Sequence, residues 1–265
     1  MARYALFLLC VVLLSEGGVQ AQTPLPNAHS HNDYAQKRPL LDALEQGFCS
    51  VEADVFAVDG KLLVAHNRDF SSPERTLQAL YLEPLKEIVR KNRGSVYPQK
   101  VPFTLLIEFK SSAEETYPLL QAALKPYRAM LTEFRERDKR ERAVTILITG
   151  NAPREQAAKE KRRLFAIEGG LPDLGSEVSV LLVPQVSTRW TETFRWSGFG
   201  EFPQEEQMRL TAFMAQAQRD GRKVRFWGGF DIPTLWKVQR NAGVDWLNVD
   251  SLARLRAFLS PVAMP

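Results

Sequence analysis

A chain of 265 residues with 45% hydrophobic and 25% charged content can bury a sizeable core, which excludes a disordered tail, a collagen-like fibre and a disulfide-stapled miniature. The formal net charge of +4 is an ordinary solubility excess that would also suit an anionic substrate. The sequence has no GxxxxGK[ST] loop, no GxGxxG after a strand and no GxSxG elbow, so it offers no nucleotide-cradling or serine-hydrolase signature.

Taken in chain order, residues 1–21 read as a secretory signal. Arg3 supplies the positive end, Ala5 to Leu14 is an apolar run too short to span a bilayer, and Val19-Gln20-Ala21 is a small-x-small cleavage site. The expectation is an exported protein, periplasmic or secreted, whose mature domain is residues 22–265. Removing the leader leaves Cys49 alone, a small buried thiol beside an apolar strand.

Beyond the leader, short apolar runs alternate with amphipathic segments. Strands are predicted at 26–31, 49–57, 104–110, 143–149, 164–168, 178–187, 223–228 and 246–250. Helices are predicted at Leu40–Gln46, Thr76–Lys91, Glu114–Leu131, Glu205–Arg219 and Thr234–Asn241. Several strands (TLLIEF, VTILI, VSVLLV) are continuously apolar, as parallel strands covered on both faces should be. Eight strands alternating with helices predict a single (β/α)8 TIM barrel, a doubly wound open sheet being the alternative. The connection EGGLPDLGSE is too short and Gly/Pro-rich for a helix, so one helix is expected to be missing. The tracts Arg135–Arg142 and Arg154–Arg163 mix charges at helical spacing and read as solvated helix faces, with no nucleic-acid role.

The chemistry concentrates between His29 and His66, a stretch that holds all three histidines. Glu52 and Asp54 lie two apart on an apolar strand and therefore project together. Two converging carboxylates cost several kcal/mol to desolvate unless a cation or a proton lies between them, and a hard divalent metal answers that need. His66 follows a hairpin (AVDGKLLVAH) that returns toward the same strand. HSHNDY adds His29 and His31, with Asp33 close by; either imidazole could be the general acid or base, the other orienting. Glu108 repeats the carboxylate device as a third oxygen ligand, with Lys110 as a cation for a phosphate. Arg225 and Trp227 place a cation and an aromatic wall on strand seven, and Asp250 ends strand eight. All these groups fall at C-terminal strand ends, where barrels build their sites. Three histidines are too few for a polynuclear-metal amidohydrolase.

Together AHSHNDY, SVEADVF, LYLEPL, KVRFWG and GVDWLNVD resemble the phospholipase C-like phosphodiesterase superfamily, which includes the glycerophosphodiester phosphodiesterases. Within it the chain looks like the branch of the altered inheritance of mitochondria protein 6. The resemblance runs from Asn27 to about Leu259. It implies a barrel binding one divalent cation, Mg2+ or Ca2+, on Glu52, Asp54 and Glu108, with two histidines as acid and base. Where glycerophosphodiesterases have His-Arg-Gly this chain has His-Ser-His, so the phosphate-contacting arginine is missing; His31 is the preferred catalytic residue over His29. The implied function is metal-dependent cleavage of a small-molecule or lipid phosphodiester by a monomer. A membrane contact would call on the aromatics Trp190, Phe194, Trp196 and Phe199. The alternative is an exported barrel that binds an anionic ligand without turnover.

Overall fold

The computed structural model describes residues 23–260, so the leader lies outside the described residues. The chain begins with strand β1 (Leu25–Ser30), a short helix α1 (Leu41–Glu45) and the long strand β2 (Phe48–Val58), which folds back through a hairpin onto β3 (Lys61–Val64). A π-helical turn, Gln78–Leu82, runs into α2 (Glu83–Lys91), followed by β4 (Phe103–Phe109) and α3 (Ala113–Leu124). Two small strands, β5 (Glu133–Arg135) and β6 (Lys139–Arg140), precede β7 (Val144–Gly150), α4 (Arg154–Lys159), β8 (Arg162–Arg163) and β9 (Ala166–Gly169). The chain closes with β10 (Gln185–Arg189), α5 (Trp190–Thr193), α6 (Gln204–Arg219), β11 (Lys223–Trp227), α7 (Pro233–Asn241), β12 (Trp246–Val249) and α8 (Leu252–Leu259).

Strands β1, β2, β4, β7, β9, β10, β11 and β12 pair in parallel in that order, and β12 pairs back onto β1. The sheet is thus a closed eight-stranded barrel, as the alternation of strands and helices predicts. Between β9 and β10 there is only a 3-10 turn, Leu171–Asp173, so the helix expected to be missing is missing. The main hydrophobic core lies where the apolar strands meet the helices, with Val51, Ala53, Val55, Leu105, Ile107, Ile146 and Ile148 all buried in it. Inside the barrel the apolar content is small: Leu106, Leu147 and Ala166 form a separate cluster with Phe134 from β5. Trp246 is also buried there, its indole N–H bonding the Gln185 side chain at 2.7 Å, and the site grows out of the polar residues that share this interior.

Three segments differ from expectation, one being Arg154–Arg163, whose helix stops at Lys159 and whose end is strand β8 with Arg163 buried. VSVLLV is a turn rather than the start of a strand: the N–H groups of Leu182 and Val183 both bond to the Ser179 carbonyl, and the strand begins only at Gln185. A short apolar run has no periodicity to separate these cases. Arg135–Arg142 is not a helix face either; it forms most of the β5–β6 hairpin, whose strand β5 also pairs with β8. Among the aromatics proposed for membrane contact, Trp190, Phe194 and Trp196 are buried, and Phe199 is exposed. Cys49 is buried and unbridged, its thiol pushed up to about 12 by burial.

Candidate active site

The strand register explains why three distant acids meet. Strand β2 pairs with β4 so that Asp54 is the lateral neighbour of Glu108, while Glu52 opposes Leu106 one side-chain step deeper. One carboxylate oxygen from each of Glu52, Asp54 and Glu108 lies within 4.8 Å of the others. Glu52 and Asp54 are buried and Glu108 is partly so. Burial, together with Glu108 and Glu52 alongside, pushes the Asp54 carboxyl up to about 6, with Lys110 and Tyr34 pulling the other way.

Asp54 is answered on one oxygen only. Its Oδ2 is approached by the Tyr34 hydroxyl at 2.8 Å, Lys110 Nζ at 3.1 Å and His66 Nδ1 at 3.4 Å. Its Oδ1 is buried and has no hydrogen-bond partner. A buried acceptor left unmatched costs about 1–3 kcal/mol. An all-oxygen donor set with an orphaned carboxylate oxygen fits a hard divalent cation, and Glu52, Asp54 and Glu108 are the residues that would hold it. Lys110 also bonds Glu108 at 2.8 Å, so it offsets part of the local negative charge.

The histidines occupy three different environments. His29 lies beneath the site: its Nδ1 is 2.7 Å from Ser50 Oγ, and its Nε2 is 3.3 Å from Glu52. Burial drives its pKa down to about 4 against the pull of Glu52, which favours the neutral ring near neutral pH. His31 sits at the rim, with Nδ1 bonded to Asp250 at 2.8 Å and Nε2 3.8 Å from Glu52. Burial opposes its protonation, but the Asp250 hydrogen bond and the nearby Glu52 carboxylate outweigh it, so its pKa is raised. His66 is exposed and uses Nδ1 for both of its contacts, Tyr34 Oη at 3.0 Å and Asp54 at 3.4 Å. Among the described residues its Nε2 makes no hydrogen bond.

His31, His66, Glu52, Glu108, Lys110, Arg225 and Trp227 line one cavity of about 510 Å³ at the C-terminal mouth of the barrel; His29 does not. Arg225 forms the floor of that cavity. It grips Glu168 with two bonds of 2.9 and 2.8 Å, and bonds Glu52 at 2.9 Å and Asn248 at 2.8 Å. Strands β2 and β9 are not neighbours of β11, so these bonds cross the barrel interior. Asp33 belongs to the scaffold: it is buried and accepts from Leu40 N–H, the Ser30 hydroxyl and the Tyr81 hydroxyl.

Sequence reasoning did not single out Glu168, Tyr34, Asn248 or Arg189. Glu168 had a readable signal, since it follows the apolar run LFAI at a strand end as Glu108 follows TLLI. The partners of Tyr34 and Arg189 depend on distant segments and leave no local pattern.

Residues 19–166 match a family model described as an AIM6-like phosphodiesterase domain. The altered inheritance of mitochondria protein 6 of Eremothecium gossypii is 32% identical over 279 residues, covering 88% of this chain and 69% of that protein. A homolog from Arthroderma benhamiae is 30% identical over 270 residues, covering 89% and 84%. A solved glycerophosphodiester phosphodiesterase from Parabacteroides distasonis superposes with a TM-score of 0.54 at 14% identity, over 89% of this chain and 98% of that one. A phosphodiesterase from Oleispira antarctica, solved in complex with the product sn-glycerol-3-phosphate, gives 0.51 at 16% identity over 89% and 98%. At such identities the solved structures speak for the barrel fold. With more than half its length matched and relatives at 30% identity or above, this chain belongs to the AIM6-like phosphodiesterase domain family.

Proposed function

We propose that this protein is a divalent-cation-assisted phosphodiesterase acting on a glycerophosphodiester or a lysophospholipid-type diester, with His31 and His66 moving the protons. The observation that carries the reading is the orphaned Asp54 Oδ1 within the Glu52/Asp54/Glu108 cluster, with both imidazoles opening on the same cavity. A cation held by the three carboxylates would offset the charge that develops on the phosphoryl oxygens in the transition state.

The chain's own groups divide the remaining work. One histidine takes the proton of the attacking oxygen, which is either a substrate hydroxyl beside the phosphate or a water. The other returns a proton to the leaving alkoxide. Asp250 holds the His31 ring by Nδ1, and Tyr34 with Asp54 holds His66 by Nδ1, so each imidazole keeps Nε2 for the reaction. Lys110 adds positive charge at the phosphate side. His29 and Arg225 fix Glu52 from below. On this reading the protein works alone, after export, with Gln22 as its mature N-terminus.

The test is turnover of glycerophosphodiesters and lysophospholipids with and without EDTA, comparing wild type with Glu52→Gln and His66→Ala. General acid–base catalysis is typically worth about 10²–10⁴-fold, so His66→Ala should lose at least about 100-fold, and EDTA or Glu52→Gln should abolish turnover. Unchanged rates in either variant sink the assignment, and metal-dependent ligand binding without product would favour a non-catalytic binder.

A further inference from the structure

Three cationic side chains line the cavity: Lys110, Arg225 and Arg189. Lys110 is paired with Asp54 and Glu108, and Arg225 with Glu168 and Glu52. Arg189 is exposed, and among the described residues its guanidinium makes no ion pair; it lies over the Trp227 ring at 4.7 Å from the centroid. An exposed arginine is usually free to wander, but this one is laid in a groove. Gly228, at φ +67°, passes so close beneath it that an added Cβ would meet Arg189 Cγ at 2.9 Å and Nε at 3.2 Å. The charge is therefore unanswered while its position is set. A guanidinium stacked on a ring still presents its N–H edge, which suits the bidentate grip of an oxyanion.

The subsite also has a direction. The carboxylate cluster sits on β2 and β4, the second and third strands of the barrel, whereas Arg189 and Trp227 sit on β10 and β11, the sixth and seventh. The two lie across the mouth from each other, so a diester whose phosphate faces the carboxylates directs its second alcohol toward Arg189. A quaternary ammonium headgroup would need an aromatic face to stack on, and the face of Trp227 toward Arg189 is already covered by a cation. Resting on the phosphodiesterase reading, we propose that Arg189, seated on Trp227 and Gly228, is the residue that selects phosphodiesters carrying a second acidic group and disfavours those with a cationic headgroup.

The test uses the metal-loaded full chain and glycerophosphodiesters that differ only in the second alcohol: choline, ethylene glycol or 3-hydroxypropanoate. Because a charge-assisted hydrogen bond is among the stronger kinds, kcat/KM for the carboxylate diester should exceed that for choline by about tenfold or more. Arg189→Ala should bring that ratio to near unity, Arg189→Lys should keep part of it, and Arg189→Glu should invert it. A wild-type preference for choline, or a ratio unchanged in Arg189→Ala even with all rates lowered together, overturns the proposal.

A second readout needs no turnover. Trp227 is the one tryptophan of five that is not buried, so its emission reports on this rim. In chelator-dialysed protein, inorganic phosphate should shift that emission in wild type and not in Arg189→Ala, and choline chloride should do nothing. No phosphate response in wild type, or the same response in the variant, overturns the proposal. An Arg189-dependent phosphate response with no turnover of any diester supports the subsite and removes the phosphodiesterase reading alone.

Discussion

Replacing Arg225 by Met tests how the barrel interior is held together. The guanidinium makes four bonds of 2.8–2.9 Å to Glu168, Glu52 and Asn248, all within the polar interior. Met fills a similar volume with no donor, so Glu168 keeps only its bond from Gln185, and Glu52 keeps His29 and the more distant His31 imidazole at 3.8 Å. Breaking a buried ion pair from one side costs about 3–5 kcal/mol, because the remaining charge stays buried without its partner. In a domain of this size each kcal/mol moves Tm by about 2–4 °C, so the expected drop is roughly 6–20 °C. Glu168→Gln, which keeps an acceptor for Arg225, should cost clearly less. Urea and thermal unfolding followed by circular dichroism at neutral pH measure both. An Arg225→Met variant within about 1 kcal/mol of wild type would mean that the interior charges are solvated, and the reasoning would fail.

Asp33 gives a pH-dependent prediction. Burial raises its carboxyl from 3.8 to about 6 despite the three hydrogen bonds it accepts. A raised carboxyl favours the fold only while protonated, so its contribution is present below pH 3.8 and is lost as pH rises through about 6. At 1.36 kcal/mol per unit this is about 3 kcal/mol, so Asp33→Asn should gain that much on wild type between pH 4 and 7.5 in urea titrations; a flat difference refutes it. Gly150→Ala probes the third acid: at φ +68° a Cβ would lie 2.8 Å from Glu108 Cγ and 2.6 Å from the Phe109 carbonyl. Displacing a ligand by even a fraction of an ångström weakens a metal site, so calorimetric cation affinity should fall by about tenfold or more while the fold persists; unchanged affinity would exclude Glu108 as a ligand.

Much of this arrangement was readable because it follows from simple periodicities. The i, i+2 placement of Glu52 and Asp54, and of Glu108 at the end of the next apolar run, translates directly into convergence at one barrel mouth. The two histidines of HSHNDY did not resolve in the same way. Extended spacing would put His29 and His31 on one side, but the strand ends at Ser30 and the chain turns at Asn32, φ +47°, which carries His31 to the rim and leaves His29 below. Arg225 read as a cation for substrate because its partners, Glu168 and Asn248, lie on other strands. The same distance hid the Arg189 platform, which exists only because Gly228 and Trp227 of β11 and its following turn pack against the end of β10. Local pattern reports which residues face inward; it does not report which of them are already paired.

The account stands most directly on whether Asp54 Oδ1 awaits a cation. Isothermal titration of chelator-stripped protein with Mg2+ and Ca2+, followed by diesterase turnover on the same samples, measures this. The expected result is one ion bound per chain, activity restored in step with occupancy, and both lost in Asp54→Asn. Full turnover by metal-free protein, or unaltered cation binding in Asp54→Asn, would contradict it.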